Sequence, residues 1–367
     1  MTHEEPAHRR GKAGAPAVAE LELTTMGKLL AILGLGLLMA VHEAGHFLVA
    51  RVFKMRVLKF SIGFGPVLWS KKPKGSSTTY QIALLPFLAY VQIAGMNPNE
   101  EIDPDDKESY ANASWHARFL TILAGPVANY LLAVVAVFFL MLAVGRGEID
   151  GLKVGALDPK GSATAAHVQV DDEVRAIGGK QVHDWEEMRG QIQSHRGEEI
   201  DIVVRRGSED VKLRVTPSKD EGRIGIGPKE IRRPVTVGVA AKIAAVQPAE
   251  SAAEMLKGFW RIITRKEKAE LRGPVGIVSE ASSHIDKSVE EGVSFFAALS
   301  IYLCVFNLLP FPALDGGRVA FLLYEFVARR RPNALVEARV HMVGLLALLA
   351  LFLPLFFMEI WKLFVKS

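Results

Sequence analysis

The sequence predicts a polytopic α-helical membrane protein of about four transmembrane helices, interrupted by a small α+β domain outside the membrane. Three observations carry that expectation. Half of the 367 residues are hydrophobic although 23% are charged, and the two sets are segregated, with charge in the middle and apolar residues in blocks. Four of these blocks are long enough to cross a bilayer. Within the first lies His42-Glu43-Ala44-Gly45-His46, where ionisable groups are costly and usually serve function.

Residues 1–26 are polar and rich in Ala and charge, so a disordered tail is expected. A secretory signal would place its apolar core nearer the start, and the first apolar segment, about 27–50, reads as a retained span. The second span covers about 117–144 and includes LLAVVAVFFLMLAV from Leu131. Together 27–144 form the first half of the membrane core. The intervening run Thr78–Met96 is strand-like and too apolar for an exposed loop, and Gly63 and Gly65 break the chain before it. A β-hairpin follows, either dipping into the membrane beside the first span or packed on the membrane's face. If it dips, its free edge could hold a substrate in extended form.

Residues 151–228 change character. Short β-rich runs at Glu173–Ile177, Glu199–Arg205 and Val211–Val215, with a helix over about Asp184–Gln193, suggest the inserted domain. The connecting segment 229–290 carries an amphipathic helix near Pro248–Arg265 and a turn at Gly273-Pro274-Val275-Gly276. In the second half of the core, 291–367, a third span begins near Val293, breaks after Leu309 at Pro310 and Pro312, and resumes at Val319–Leu323. A fourth runs from about Met342 to Phe364, with Pro354 as a kink. Basic residues cluster after span one (Arg51 to Lys74) and between spans three and four (Arg329, Arg330, Arg331, Arg339). Both loops should face the cytoplasm, leaving 145–290 outside it.

Net charge is only +4, and no basic run is interleaved with aromatics, so nucleic acid is not an expected partner. Cys304 is the single cysteine, which excludes an intrachain disulfide and a thiolate metal cluster.

Histidines four apart share one helical face. His42 and His46 could therefore grip one zinc ion, with Glu43 between them as general base toward water. The bland alternative is a pair of packed histidines. Two histidines need a third protein ligand, and Asp315 in Asn307-Leu308-Leu309-Pro310-Phe311-Pro312-Ala313-Leu314-Asp315-Gly316-Gly317-Arg318 is a candidate. From the residues alone it serves equally well as an N-cap of the resumed helix.

These two motifs together resemble the site-2 protease family of intramembrane zinc metalloproteases. The layout resembles its bacterial, PDZ-containing branch, of the regulator of sigma-E protease type. The likeness runs from about 27 to 345 and includes Ala124-Gly125-Pro126 with Asn129. It implies that His42, His46 and Asp315 bind Zn2+, that Glu43 is the catalytic base, and that Asn129 and Asn307 contact substrate backbone or support the site. It further implies an inner-membrane, multi-pass enzyme of regulated intramembrane proteolysis, with membrane lipid around it and a PDZ-like domain acting as filter. The implied substrate is a single-span membrane protein, such as an anti-sigma factor, already cut on its extracytoplasmic side. The oligomeric state is left open. A catalytically silent scaffold with a peptide-binding PDZ-like module is the rival reading. A metal transporter is a third, which a Glu between the histidines suits less well. Two departures stand out: Ala166-His167-Val168-Gln169-Val170-Asp171-Asp172 replaces the family's Ala-Gly-Leu-x-x-Gly-Asp turn, and Met358-Glu359-Ile360-Trp361 replaces a polar Asn-Asp pair.

Overall fold

In the computed structural model, residues 15–97, 100–101, 103–266 and 272–366 are described. The chain folds as two units, residues 141–237 and the remainder. Four helical stretches among the described residues are long and apolar enough to span a membrane: Thr25–Val52, Trp115–Val144, Val289–Leu308 and Ala334–Lys362.

The first helix, α1 (Ala15–Val52), starts earlier than the apolar run. The segment 15–26, assigned by sequence to the disordered tail, is helical, while 1–14 lie outside the described residues. The Ala-, Leu- and Glu-containing stretch has good helix propensity and extends a helix whose nucleation cost is already met. The helix stops at Lys54, which adopts the left-handed conformation (φ 57°) as Met55 N–H donates to Ala50 O at 2.8 Å.

Two long strands follow, β1 (Val57–Lys71) and β2 (Thr79–Ile93), paired antiparallel with several irregularities. Phe60, Ser61 and Ile62 each pair twice. Their partners are Val91, Tyr90 and Ala89 on one side, and Tyr80, Gln81 and Ile82 on the other. Lys71, Ser70 and Trp69 occupy the far side of Tyr80, Gln81 and Ile82, leaving 89–93 as an edge. Gly63 (φ 95°) lies against the Ala83 backbone, a conformation that favours glycine. Between the strands' halves, the Pro86 carbonyl lies against Gly36, midway along the apolar part of α1. Helix α2 (Trp115–Val144) packs its Gly125 face on α1, with Gly45 against the Ala124 carbonyl.

The second unit is an antiparallel sheet with small helices. In chain order it comprises β3 (Arg146–Leu157), α3 (Ser162–Ala165), β4 (Glu173–Ile177), β5 (Lys180–Gln181), α4 (Trp185–Ser194), β6 (Ile200–Arg206), β7 (Glu209–Val215) and β8 (Ile226–Arg233). The main strand order is β7-β6-β4-β3-β8. Alternate residues Ile200, Ile202 and Val204 point into a core with Val154, Val174 and Met188. Helix α4 is capped by Asp184, which accepts from Glu187 N–H at 2.7 Å. In the 166–172 turn, the two family glycine positions hold His167 (φ 61°) and Asp171 (φ 73°) in the left-handed region. Side-chain bonds hold that turn. Asp172 accepts from Gln169 N–H (2.8 Å) and pairs with both ends of the Arg206 fork, and Arg206 also donates to His167 O (2.9 Å).

The remaining helices are α5 (Val237–Ile263), α6 (Pro274–Lys287), α7 (Val289–Leu308), α8 (Asp315–Ala328) and α9 (Ala334–Lys366). Four begin before the positions expected from sequence, α8 at Asp315 rather than Val319 among them. Helix α5 takes Pro248 into its interior because Ala-rich turns precede it. Helix α7 starts at Val289, where Ser288 accepts from Glu291 N–H at 3.1 Å. Helix α9 starts at Ala334, where Asn333 accepts from Leu335 N–H at 2.9 Å. Polar caps and polar first turns lie outside the hydropathy that marks a span. Glu359 of α9 has its own partner: its carboxylate accepts the N–H groups of Gly273, Val275 and Gly276 at 2.7–3.2 Å, at the N-terminus of α6.

Candidate metal centre

The i, i+4 spacing on α1 sets the rings of His42 and His46 edge to face, with centroids 4.9 Å apart. Their Nε2 atoms are 3.2 Å apart. Asp315 Oδ2 lies 3.0 Å from His42 Nε2 and 3.3 Å from His46 Nε2. Both histidines are buried, at 5% and 4% exposure. Among the described residues these three form the one His/Cys/Asp/Glu group whose ligand atoms lie mutually within 4.8 Å.

The hydrogen bonds around the rings fix what those atoms can do. His46 Nδ1 donates to the Thr121 carbonyl at 2.7 Å, which leaves its Nε2 as a lone pair. His42 Nδ1 lies 3.3 Å from the Asn129 amide, and Asn129 Oδ1 is buried without a partner. With that amide turned by half a turn, His42 Nδ1–H donates to Oδ1, and in that tautomer His42 Nε2 carries a lone pair. With both rings neutral in this arrangement, two imidazole lone pairs and a carboxylate oxygen crowd together. A cation resolves that crowding, and two nitrogens with one oxygen suit zinc. Helix α2 leaves room through Gly125, where a Cβ would sit 2.8 Å from His42 Nε2 and 2.5 Å from His46 Cε1.

Asp315 reaches the histidines through the broken segment 309–314. Its N-cap is Leu314, so Asp315 is the first residue of α8 and its carboxylate is turned to the rings. The strained Ala313 (φ 76°) donates its N–H to His341 Nδ1 of α9 at 2.9 Å. Gly316 and Gly317 allow the start of α8 to lie against the carbonyls of Leu309 and Phe311.

Glu43 stands beside the group and accepts the Val91 N–H at 2.9 Å. Val91 belongs to the edge segment of β2, so the carboxylate is held by the rim of the sheet. Asn129 is fully buried against His42, a supporting position away from any surface. Asn307 is not brought into the group: its amide donates to Leu303 O of its own helix at 3.0 Å. Sequence reasoning passed over Thr121 and Val91, which act through backbone atoms and leave no side-chain signal. It also passed over His341, whose place within an apolar helix was a usable signal.

The profile of Peptidase family M50 matches residues 30–351. A protein of Fusobacterium nucleatum, provisionally designated a zinc metalloprotease, is 34% identical over 92% of this chain and 99% of its own. Zinc metalloprotease RasP of Geobacillus kaustophilus is 28% identical over 90% of this chain and 96% of its own. Among solved structures, the PDZ domain of an SdrC-like protein from Listeria monocytogenes aligns with 22% of this chain and 90% of its own, at 20% identity and a TM-score of 0.20.

Proposed function

The chain belongs to peptidase family M50, and from that premise we propose that it hydrolyses a peptide bond within or near the membrane segment of a single-span protein, His42, His46 and Asp315 holding the metal and Glu43 acting as base. It is a site-2-type zinc metalloprotease. The observation that carries the residue assignment is the convergence of His42 Nε2, His46 Nε2 and Asp315 Oδ2 from α1 and α8, with the Glu43 carboxylate next to them.

Held by His42, His46 and Asp315, zinc would supply Lewis acidity toward the scissile carbonyl and would make water a stronger acid. Thr121 O and the Asn129 amide orient the imidazoles so that Nε2 faces inward. Glu43 takes a proton from the attacking water as the new C–O bond forms. It then delivers that proton to the amine nitrogen as the C–N bond breaks. A substrate helix must unwind before its peptide bond is exposed, and the 89–93 edge supports a role in receiving it by strand addition. The Pro86 turn at Gly36 supports a hairpin that dips to mid-membrane depth. On this reading the basic loops face the cytoplasm, and the 141–237 unit is an extracytoplasmic, PDZ-like filter for substrates already shortened, such as anti-sigma factors.

Glu43→Gln tests the assignment. Purified, it should keep zinc while cleavage of a model single-span peptide falls by about 10²–10⁴-fold. Normal cleavage would remove Glu43 from the role of base. Absence of cleavage by the unmutated zinc-loaded protein would favour the silent scaffold.

A further inference from the structure

Helix α8 has a second polar face that the hydrolytic site does not use. A cavity of about 160 Å³ lies beside the start of α2, along α8 and at the 329–334 turn. Arg118, Arg318 and Arg331 line it, with Glu325 and Glu337. Arg118 and Glu325 form a two-pronged pair at 3.0 and 2.5 Å. The same Glu325 carboxylate lies 3.6 Å from Arg331 Nε. One carboxylate is therefore shared by two guanidinium groups. Arg118 Nε is buried with no partner. Arg318 lies near Glu337 and Tyr110, and Arg331 also donates to the Ala111 carbonyl at 2.8 Å. A buried donor without a partner is costly, and three arginines against two carboxylates leave positive charge in the cavity.

Beside the cavity lies an apolar groove of about 360 Å³. Ala320, Tyr324 and Val336 form the groove, and Phe321 and Pro332 belong to both spaces. Arg330 Nε donates to Tyr324 Oη at 3.0 Å on its rim. Because α8 ends at Ala328 and α9 begins at Ala334, the basic turn Arg329–Arg331 marks where a span leaves the hydrocarbon.

We propose that cavity and groove together bind one anionic phospholipid, its phosphate taken by Arg318 and Arg331 and an acyl chain lying between α8 and α9. The planar guanidinium fork matches phosphate oxygens, and a basic pocket between helices at headgroup depth is where such lipids are recognised. A free phosphate would use the cavity but not the groove. The lipid would bridge the helix that begins with Asp315 to the helix that carries His341, bracing the arm that positions Asp315. The inference does not depend on the proteolytic reading.

The full chain, zinc-loaded, is reconstituted in nanodiscs of equal phosphatidylglycerol and phosphatidylcholine and released for native mass spectrometry. One phosphatidylglycerol should be retained per chain in preference to phosphatidylcholine. Arg318→Gln combined with Arg331→Gln should lower that retention roughly tenfold or more. Ala320→Trp, which fills the exposed groove without touching a charge, should lower it too, while Arg318→Lys should largely keep it. Millimolar inorganic phosphate should not displace the lipid. Equal retention of both lipids, or undiminished retention in the double and groove variants, overturns the proposal. Displacement by inorganic phosphate also overturns it, giving the cavity to a free anion.

Discussion

Gly125→Ala tests whether the crowding at the metal centre is functional. The added Cβ would lie 2.8 Å from His42 Nε2 and 2.5 Å from His46 Cε1, where ordinary contact begins at 3.4 Å. His42 must therefore retreat by about 0.6 Å and His46, whose Nε2 is the nearest atom of all, by more than about 0.9 Å, several times the roughly 0.2 Å within which metal–ligand distances are held. Displacing both imidazoles should weaken zinc binding by about 10²-fold, or about 2.8 kcal/mol at the tenfold constant. The backbone has no reason to fail, since alanine favours a helix interior over glycine by about 1 kcal/mol. Titration against a chromophoric chelator reads the affinity, and far-ultraviolet circular dichroism reads the fold. A variant that keeps its helicity and binds zinc within threefold of the original would refute the reasoning.

Two further outcomes follow from the same geometry. Replacing His341 by Leu removes the acceptor that holds Ala313 N–H, so zinc affinity and turnover should both fall by about tenfold, while His341→Asn, whose amide oxygen can accept, should recover much of the loss. Equal behaviour of the two variants in a zinc titration would argue against that hydrogen bond. In the 141–237 unit, burial opposes ionisation of Asp172, but hydrogen bonds from Arg206 and Gln169 N–H outweigh it and hold the carboxyl below its ordinary 3.8. A depressed carboxyl stabilises the fold above its unfolded pKa, and that contribution disappears as pH falls through the folded value. Asp172→Ala should cost about 2–3 kcal/mol, speeding amide exchange at Val204 in the intact chain by roughly 30–160-fold near neutral pH. The gap should narrow below about pH 4, and a gap that widens there would contradict the sign.

Much of the helical layout was legible because a span needs some 20 apolar residues, a signal few other structures produce. Helix starts were less legible. Ser288 and Asn333 cap α7 and α9 from positions where hydropathy has not yet risen. Pro248, read as a start, is interior to α5. At the site, a helical period was enough to put His42 and His46 on one face. Asp315 was balanced between ligand and cap, because its environment depends on a loop held by His341 from another helix. Glu359 looked like a missing polar pair and is instead the acceptor for three N–H groups of α6. The turn at His167 and Asp171 lacks the family's glycines, and Arg206, remote in sequence, helps to hold both residues in the left-handed region.

Zinc K-edge X-ray absorption on the purified, zinc-loaded chain and on Asp315→Ala meets the central claim most directly. The account predicts two imidazole nitrogens at about 2.0–2.1 Å and protein oxygen at about 2.0–2.2 Å, with the metal lost or its oxygen shell altered in the variant. A spectrum with one imidazole, or one that Asp315→Ala leaves unchanged at full zinc occupancy, would contradict it.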